Sequence, residues 1–178
     1  VSPVIFGVQN VIVRSARTSD PANLMAIDPE SFEKVAPLDD ADFVSSDVKT
    51  VLQRLRRDSE AIFLETEMAA FLRVGVGDPI HVLLVRGTEH QIEIEYRVAG
   101  LFTRLPGAPE GAHALVALDR HLATVPTKRP DYFLASTDDG AVLESVRKSL
   151  ASGPGSRSDL HIASRETMLT TDQSSLCL

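Results

Sequence analysis

Ala61-Ile-Phe-Leu-Glu65, Thr66-Glu-Met-Ala-Ala-Phe-Leu-Arg73, Val74-Gly-Val-Gly-Asp-Pro79, Ile80-His-Val-Leu-Leu-Val-Arg86, Gly87-Thr-Glu-His90, Gln91-Ile-Glu-Ile-Glu-Tyr-Arg-Val98 and Ala99-Gly-Leu-Phe102 follow one another without interruption. Their order decides the fold: apolar strand, short helix, glycine turn, strand, polar turn, strand. Ala61–Leu64 reads as a short buried strand. Thr66 is the expected cap of the next helix, with Met68, Ala69, Phe71 and Leu72 facing inward. Gly75 and Gly77 are expected to end that helix and to allow positive φ. From Gln91 to Val98 the residues alternate strictly, with Ile92, Ile94, Tyr96 and Val98 on one face and Gln91, Glu93, Glu95 and Arg97 on the other. That pattern is a half-buried antiparallel strand. It pairs most simply with Ile80–Arg86 across the turn 87–90.

Upstream, Val4–Arg14 reads as one long strand bulged at Gly7. Leu24–Ile27 is a short apolar strand. Asp28-Pro29-Glu30 opens a short helix, with Asp28 as N-cap, Pro29 at the first helical position and Phe32, Val35 and Ala36 on its buried side. Ser45-Ser-Asp47 starts a clearer helix through Arg57, whose Val48, Val51, Leu52 and Leu55 form an apolar stripe. Its basic residues read as a solvated face matched to the helix C-terminus. Downstream, 105–112 is a surface loop, His113–Ala117 a strand, and Asp119 the cap of another helix. A strand at 131–136, a helix from Thr137 to about Ser152 and a strand at 160–163 form one strand–helix–strand unit, followed by a helical turn at 165–170.

The expected fold class is therefore α+β: mixed sheets with short helices. The 178 residues form a single domain with two sub-lobes. Residues 1–58 and 125–178 build an α/β lobe, and 59–124 form an inserted β-rich lobe. Apolar residues at 43% suffice for a core at this size. The net charge of −7 makes nucleic acid an unfavourable partner. One cysteine, Cys177, closes no internal disulfide. No apolar run reaches the ~20 residues that cross a bilayer. The chain opens on Val1-Ser-Pro-Val-Ile-Phe6 and stops after Ser174-Ser-Leu-Cys-Leu178, and both ends read as cuts in a longer protein.

Reactive chemistry is not written into these motifs. His81, His90, His113, His121 and His161 make no helical i, i+3 or i+4 pair and none adjoins the cysteine, as a zinc site would want. The acidic pairs Asp39-Asp40 and Asp138-Asp139 read as loop and helix start. Gly75-x-Gly77 follows a helix and enters a strand, the reverse of a phosphate loop. No residue is singled out as catalytic, cofactor-binding or metal-binding. The 105–112 loop and the 87–90 turn are the expected contact regions, because exposed loops carry recognition.

The helix, then Val74-Gly-Val-Gly-Asp78, then Ile80–Val85, then the charged alternating strand ending Tyr96-Arg-Val-Ala-Gly-Leu-Phe102 resemble the extracytoplasmic domain of FtsX-like (MacB-type) ABC transporter permeases. Leu24-Met-Ala-Ile-Asp-Pro-Glu-Ser-Phe32 and Asp172-Gln-Ser-Ser-Leu176 are similar to segments of the same family. The resemblance implies a non-catalytic domain on the extracytoplasmic face of a bacterial membrane, without cofactors. Its implied partners are the permease transmembrane helices, a second permease copy and a cytoplasmic ABC ATPase acting through the membrane part. Cargo or partner would be a lipoprotein, a peptide or a cell-wall hydrolase. A stand-alone extracytoplasmic ligand- or protein-binding module is the alternative. An enzyme would need Ser, His and Asp to converge in one cleft.

Overall fold

A computed structural model of the chain describes residues 1–7, 11–84, 89, 91–108, 111–125, 129–136, 145 and 148. In chain order the elements are β1 (Ser2–Gly7), β2 (Ile12–Arg14), β3 (Ser19–Pro21), β4 (Leu24–Ile27), α1 (Pro29–Glu33), β5 (Phe43–Val44), α2 (Val48–Arg57), β6 (Ala61–Glu65), α3 (Thr66–Leu72), β7 (Pro79–Leu84), β8 (Ile92–Phe102), β9 (Ala114–Ala117), α4 (Leu118–Thr124) and β10 (Tyr132–Leu134). Residues 1–134 make one compact unit and 135–178 a second. In the second, Ser145 and Lys148 are helical and exposed, at positions where the sequence predicts a helix. The expected bounds of that helix, the strand at 160–163, the turn at 165–170, Asp138-Asp139, His161 and Cys177 lie outside the described residues.

The described strands join in one mixed sheet in the order β10-β1-β4-β9-β6-β8-β7-β2-β3, with β5 also on β8. The fold is α+β, as the element order predicts. Strands from residues 1–58 and from 59–124 share this sheet.

Burial explains the strand sequences. β4, β6 and β9 are short apolar runs because they are covered on both faces. Leu24, Ala26, Ile62, Leu64, Ala114 and Val116 enter one core, against Met68, Ala69 and Leu72 of α3 and Leu118 of α4. Met25, Ile27, Ala61, Phe63 and Leu115 enter the other, against Phe32 of α1 and Val51, Leu52 and Leu55 of α2. β7 and the first half of β8 are covered on one face only. Ile80, Val82, Leu84, Ile94, Tyr96 and Val98 are buried, while Glu93, Glu95 and Arg97 meet water. Pro79 stands opposite Arg97 and Leu84 opposite Ile92, so the alternation predicted the pairing correctly.

β8 holds the two halves together. Its first half, through Arg97, pairs antiparallel with β7. Its second half, from Arg97 on, runs parallel to β6, and β5 pairs with Phe102 and Leu101. The β6 register slips between Ile62, opposite Val98, and Phe63, opposite Gly100, so Ala99 is an extra residue. The Phe63 ring lies against the bare Gly100 backbone: a Cβ there would sit 2.6 Å from Phe63 Cε1.

Several expectations are corrected. Val4–Arg14 is two strands: β1 pairs with β4 and β10, whereas β2 pairs with β7 and β3. Gly7 closes β1 because its backbone is packed under Val11, whose Cγ2 would lie 2.8 Å from an added Cβ. Thr66 is the first helical residue and not a cap. The ladder continues through Glu65, whose N–H donates to His113 O at 2.9 Å, so strand passes straight into helix. β9 likewise runs directly into α4, which places Asp119 one residue inside the helix with Ala117 at the N-cap. Phe71 is 54% exposed. On a helix this short the buried stripe of Met68, Ala69 and Leu72 turns Phe71 about 100° away from its centre. The residue that ends α3 in the left-handed region is Arg73 (φ 55); of the two glycines expected there only Gly77 has positive φ, at 98°. Val35 and Ala36 are half-buried beside the buried Phe32.

Asp28 caps α1 as predicted, accepting from the N–H groups of Glu30 and Ser31, and Pro29 opens the helix. Asp47 caps α2 through Thr50 N–H at 2.8 Å. Arg56 ties the two helices by donating to Pro29 O at 3.2 Å and to Glu33 at 2.7 Å.

Three glycine substitutions test this packing in urea melts. Gly100→Ala is expected to cost about 1–3 kcal/mol by forcing Phe63 off the strand. Gly77→Val is expected to cost about 1 kcal/mol or more through backbone strain alone. Gly75→Ala, whose Cβ would meet no atom within 4 Å, is expected to leave stability unchanged. Equal midpoints for Gly100→Ala and Gly75→Ala would contradict the Phe63 contact.

Candidate functional site

The titratable groups sort mostly into structural roles. Asp39 caps a 3-10 turn at Asp40–Asp42, and Asp40 accepts from Val48 N–H at 2.8 Å, so both carboxylates of that pair hold backbone. Burial acts to raise the Asp28 carboxyl, but the Ser31 hydroxyl, the Glu30 and Ser31 N–H groups and the Arg56 charge outweigh it and hold Asp28 below the usual range. His81 lies on the solvent face of β7, with Nδ1 3.1 Å from Glu93 Oε1; Arg14 from β2 reaches the same carboxylate. His121 is buried on α4. His90 lies outside the described residues. Among the described residues no three His, Cys, Asp or Glu side chains converge as metal ligands.

A small polar cluster does form where β4, β6 and β9 meet. His113 Nδ1 accepts the Asn23 N–H at 3.0 Å, and Asn23 Nδ2 donates to Gly111 O at 3.0 Å. His113 Nε2 lies 3.9 Å from Glu65 Oε2. Burial raises the Glu65 carboxyl above its usual range; the His113 imidazole pulls it down and Glu67 pushes it up. Tyr96 is buried on β8, and burial pushes its phenol up to about 12 despite the opposing charge of Arg120.

The 105–112 loop is more tightly held than its sequence predicts. Leu105 and Ala112 are core residues, and the Tyr132 hydroxyl donates to Gly107 O at 2.8 Å. Gly107 and Gly111 take positive φ, which is why the loop needs glycine at both places. Of the 87–90 turn, Glu89 alone is described.

Surface clefts open at two places among the described residues. One, of about 300 Å³, opens beside the β8 bulge between α2 and the 75–78 turn, lined by Thr50, Arg54, Phe63, Val76, Arg97 and Ala99. The other, of about 440 Å³, lies at the end of α3 and is lined by Arg17, Thr18, Ala70, Phe71 and Arg73. Sequence reasoning missed the second. Its visible signal is Phe71 standing off the apolar stripe of its helix.

No protein-family model matches the chain, and no curated protein sequence matches it. Among solved structures, the extracellular domain of the noncanonic ABC-type transporter YknZ from Gram-positive bacteria aligns with a TM-score of 0.54 at 15% identity, over 80% of this chain and 67% of that one. The periplasmic region of MacB from Actinobacillus actinomycetemcomitans aligns with a TM-score of 0.53 at 13% identity, over 97% of this chain and 73% of that one. The chain has the fold of these two domains. At such identities the shared MacB-like quantity is the backbone arrangement, and no side-chain role is carried across with it.

The Glu65–His113 pair has a pH signature. A carboxyl raised in the folded state contributes stability that is fully present at acid pH, and that contribution is lost as pH rises from the unfolded value through the folded one. Glu65→Gln removes this loss. Its melting midpoint relative to the parent chain is therefore expected to be higher near pH 7 than near pH 3.5, bracketing the usual carboxyl range. A difference that is constant with pH, or larger in acid, would contradict the burial of Glu65.

Proposed function

We propose that the chain is an extracytoplasmic domain of an FtsX-like, MacB-type ABC transporter permease, and that it performs no bond chemistry of its own. The observation that carries this reading is the shared fold with the MacB and YknZ domains. It is joined by the order of helix, Gly-Asp turn, strand and Ala-Gly-Leu-Phe ending along residues 66–102. In this reading the domain stands outside the membrane between transmembrane helices of the permease, pairs with a second permease copy, and answers a cytoplasmic ATPase through the membrane part. It hands motion on to cargo or to a partner of the lipoprotein, peptide or cell-wall hydrolase kind.

The packing suits that role. Helices cover β4, β6 and β9 on both faces. A close-packed body of this kind transmits a displacement instead of absorbing it. The carboxylates of Asp28, Asp39, Asp40 and Asp47 are bonded to backbone N–H groups, which uses them in folding.

The location is directly testable. Val76 is 66% exposed in the turn before β7. In a Cys177→Ser background of the parent protein, Val76→Cys is expected to react with a membrane-impermeant maleimide in intact cells. Labelling only after lysis would place the domain on the cytoplasmic side and refute the permease reading.

A further inference from the structure

The α3 cleft has walls from two distant parts of the chain. The turn between β2 and β3 supplies Arg17 and Thr18, and the end of α3 supplies Ala70, Phe71 and Arg73. Ser15, 7% exposed, fastens them together. Its hydroxyl donates to Leu72 O at 2.9 Å and accepts the N–H groups of Arg17 and Thr18 at 3.2 Å each. The two walls are thus fastened to each other, and the cleft between them has a volume of about 440 Å³.

Two of its lining residues are arginines. Arg14, Arg54, Arg56 and Arg104 each face a carboxylate, and Arg97 donates to Gly77 O. Among the described residues the Arg17 and Arg73 side chains make no ion pair or hydrogen bond, although the protein carries a net charge of −7. The α3 carbonyls beside them are already taken: Arg73 N–H donates to Ala69 O and Ala70 O, Val74 N–H to Ala69 O, and the Ser15 hydroxyl to Leu72 O. Arg73 also holds φ 55, a conformation in which glycine is the relaxed choice and a side chain is a cost. Phe71, 54% exposed, and Ala70 line the same cleft.

We propose that this cleft binds a small anionic amphiphile, with its phosphate or carboxylate held by Arg17 and Arg73 and its apolar part lying on Phe71 and Ala70. Arginine suits the head group because its planar fork matches both oxyanions. Phe71 supplies apolar area that a bare anion does not use. The proposal stands on the cleft alone and does not depend on the permease reading.

The test titrates the 178-residue chain with dihexanoyl phosphatidic acid below its micelle concentration. Dihexanoyl phosphatidylcholine and inorganic phosphate serve as the neutral-head and chain-free arms, and binding is followed by calorimetry and by the amide resonances of Ala70–Val74. Saturable binding of the phosphatidic acid is expected, with phosphate and phosphatidylcholine each clearly weaker. Arg17→Gln and Arg73→Gly are each expected to lose about ten-fold in affinity, the scale of one charge-assisted contact. Phe71→Ser is expected to weaken the phosphatidic acid and leave phosphate unchanged. Arg73→Gly relaxes the backbone, so its melting temperature should equal or exceed that of the parent while binding falls, which separates recognition from folding. Any one of four results would overturn the proposal: no saturable binding at millimolar ligand, equal binding of phosphatidylcholine, equal binding of phosphate, or variants that bind like the parent.

Discussion

The contact of Phe63 with the Cβ-less backbone of Gly100 is the constraint on which the sheet depends. β8 must serve two half-sheets: antiparallel to β7 along its first half and parallel to β6 along its second. The extra residue Ala99 sets the change of register between them. Phe63, 2% exposed, fills the second core where that change occurs, and it fits only because Gly100 has no side chain. The register of β6 then sets the place of β9, and through β9 that of β4 and β1. In this way one aromatic–glycine contact coordinates strands drawn from residues 2 to 117.

The parts of the fold that were legible in the sequence are those decided by local periodicity. The alternation of Gln91–Val98 announced a one-sided strand because water lies on its other face. The Val51, Leu52, Leu55 stripe announced α2, and Asp28-Pro29 announced the start of α1. What was not legible was decided by contacts distant in sequence. Nothing local in Val4–Arg14 separates a strand beside β4 from one beside β7; the difference is made by partners roughly 20 and 70 residues away. Thr66 and Asp119 carry cap chemistry, yet neither caps, because β6 and β9 continue to the very residue before each helix. At the end of α3 the neighbouring glycines drew attention from Arg73, which takes the left-handed conformation itself. The α3 cleft shared this invisibility: Arg17 and Phe71 are brought together only when Ser15 bonds to Leu72 O.

Function follows from the same division between a stiff interior and a small number of unused surface groups. Asp28, Asp39 and Asp47 close caps, and Arg14, Arg54, Arg56 and Arg104 form ion pairs, although exposed pairs of this kind add little net stability. A body packed on both faces of a sheet is suited to passing on movement, which is the role proposed for it outside a transporter membrane. Arg17, Phe71 and Arg73 line the α3 cleft together.

The central claim is that β8 makes the two half-sheets one cooperative body through the Phe63 contact. Native-state hydrogen exchange on Phe63→Ala measures this most directly, using the protected amides of β8 on both sides of Ala99 and those of β2 and β7. One body predicts that all of them lose the same opening free energy, equal to the fall in global stability. If the amides of β2, β7 and the first half of β8 kept their parental protection while those of β6 and the second half lost theirs, the claim would be contradicted.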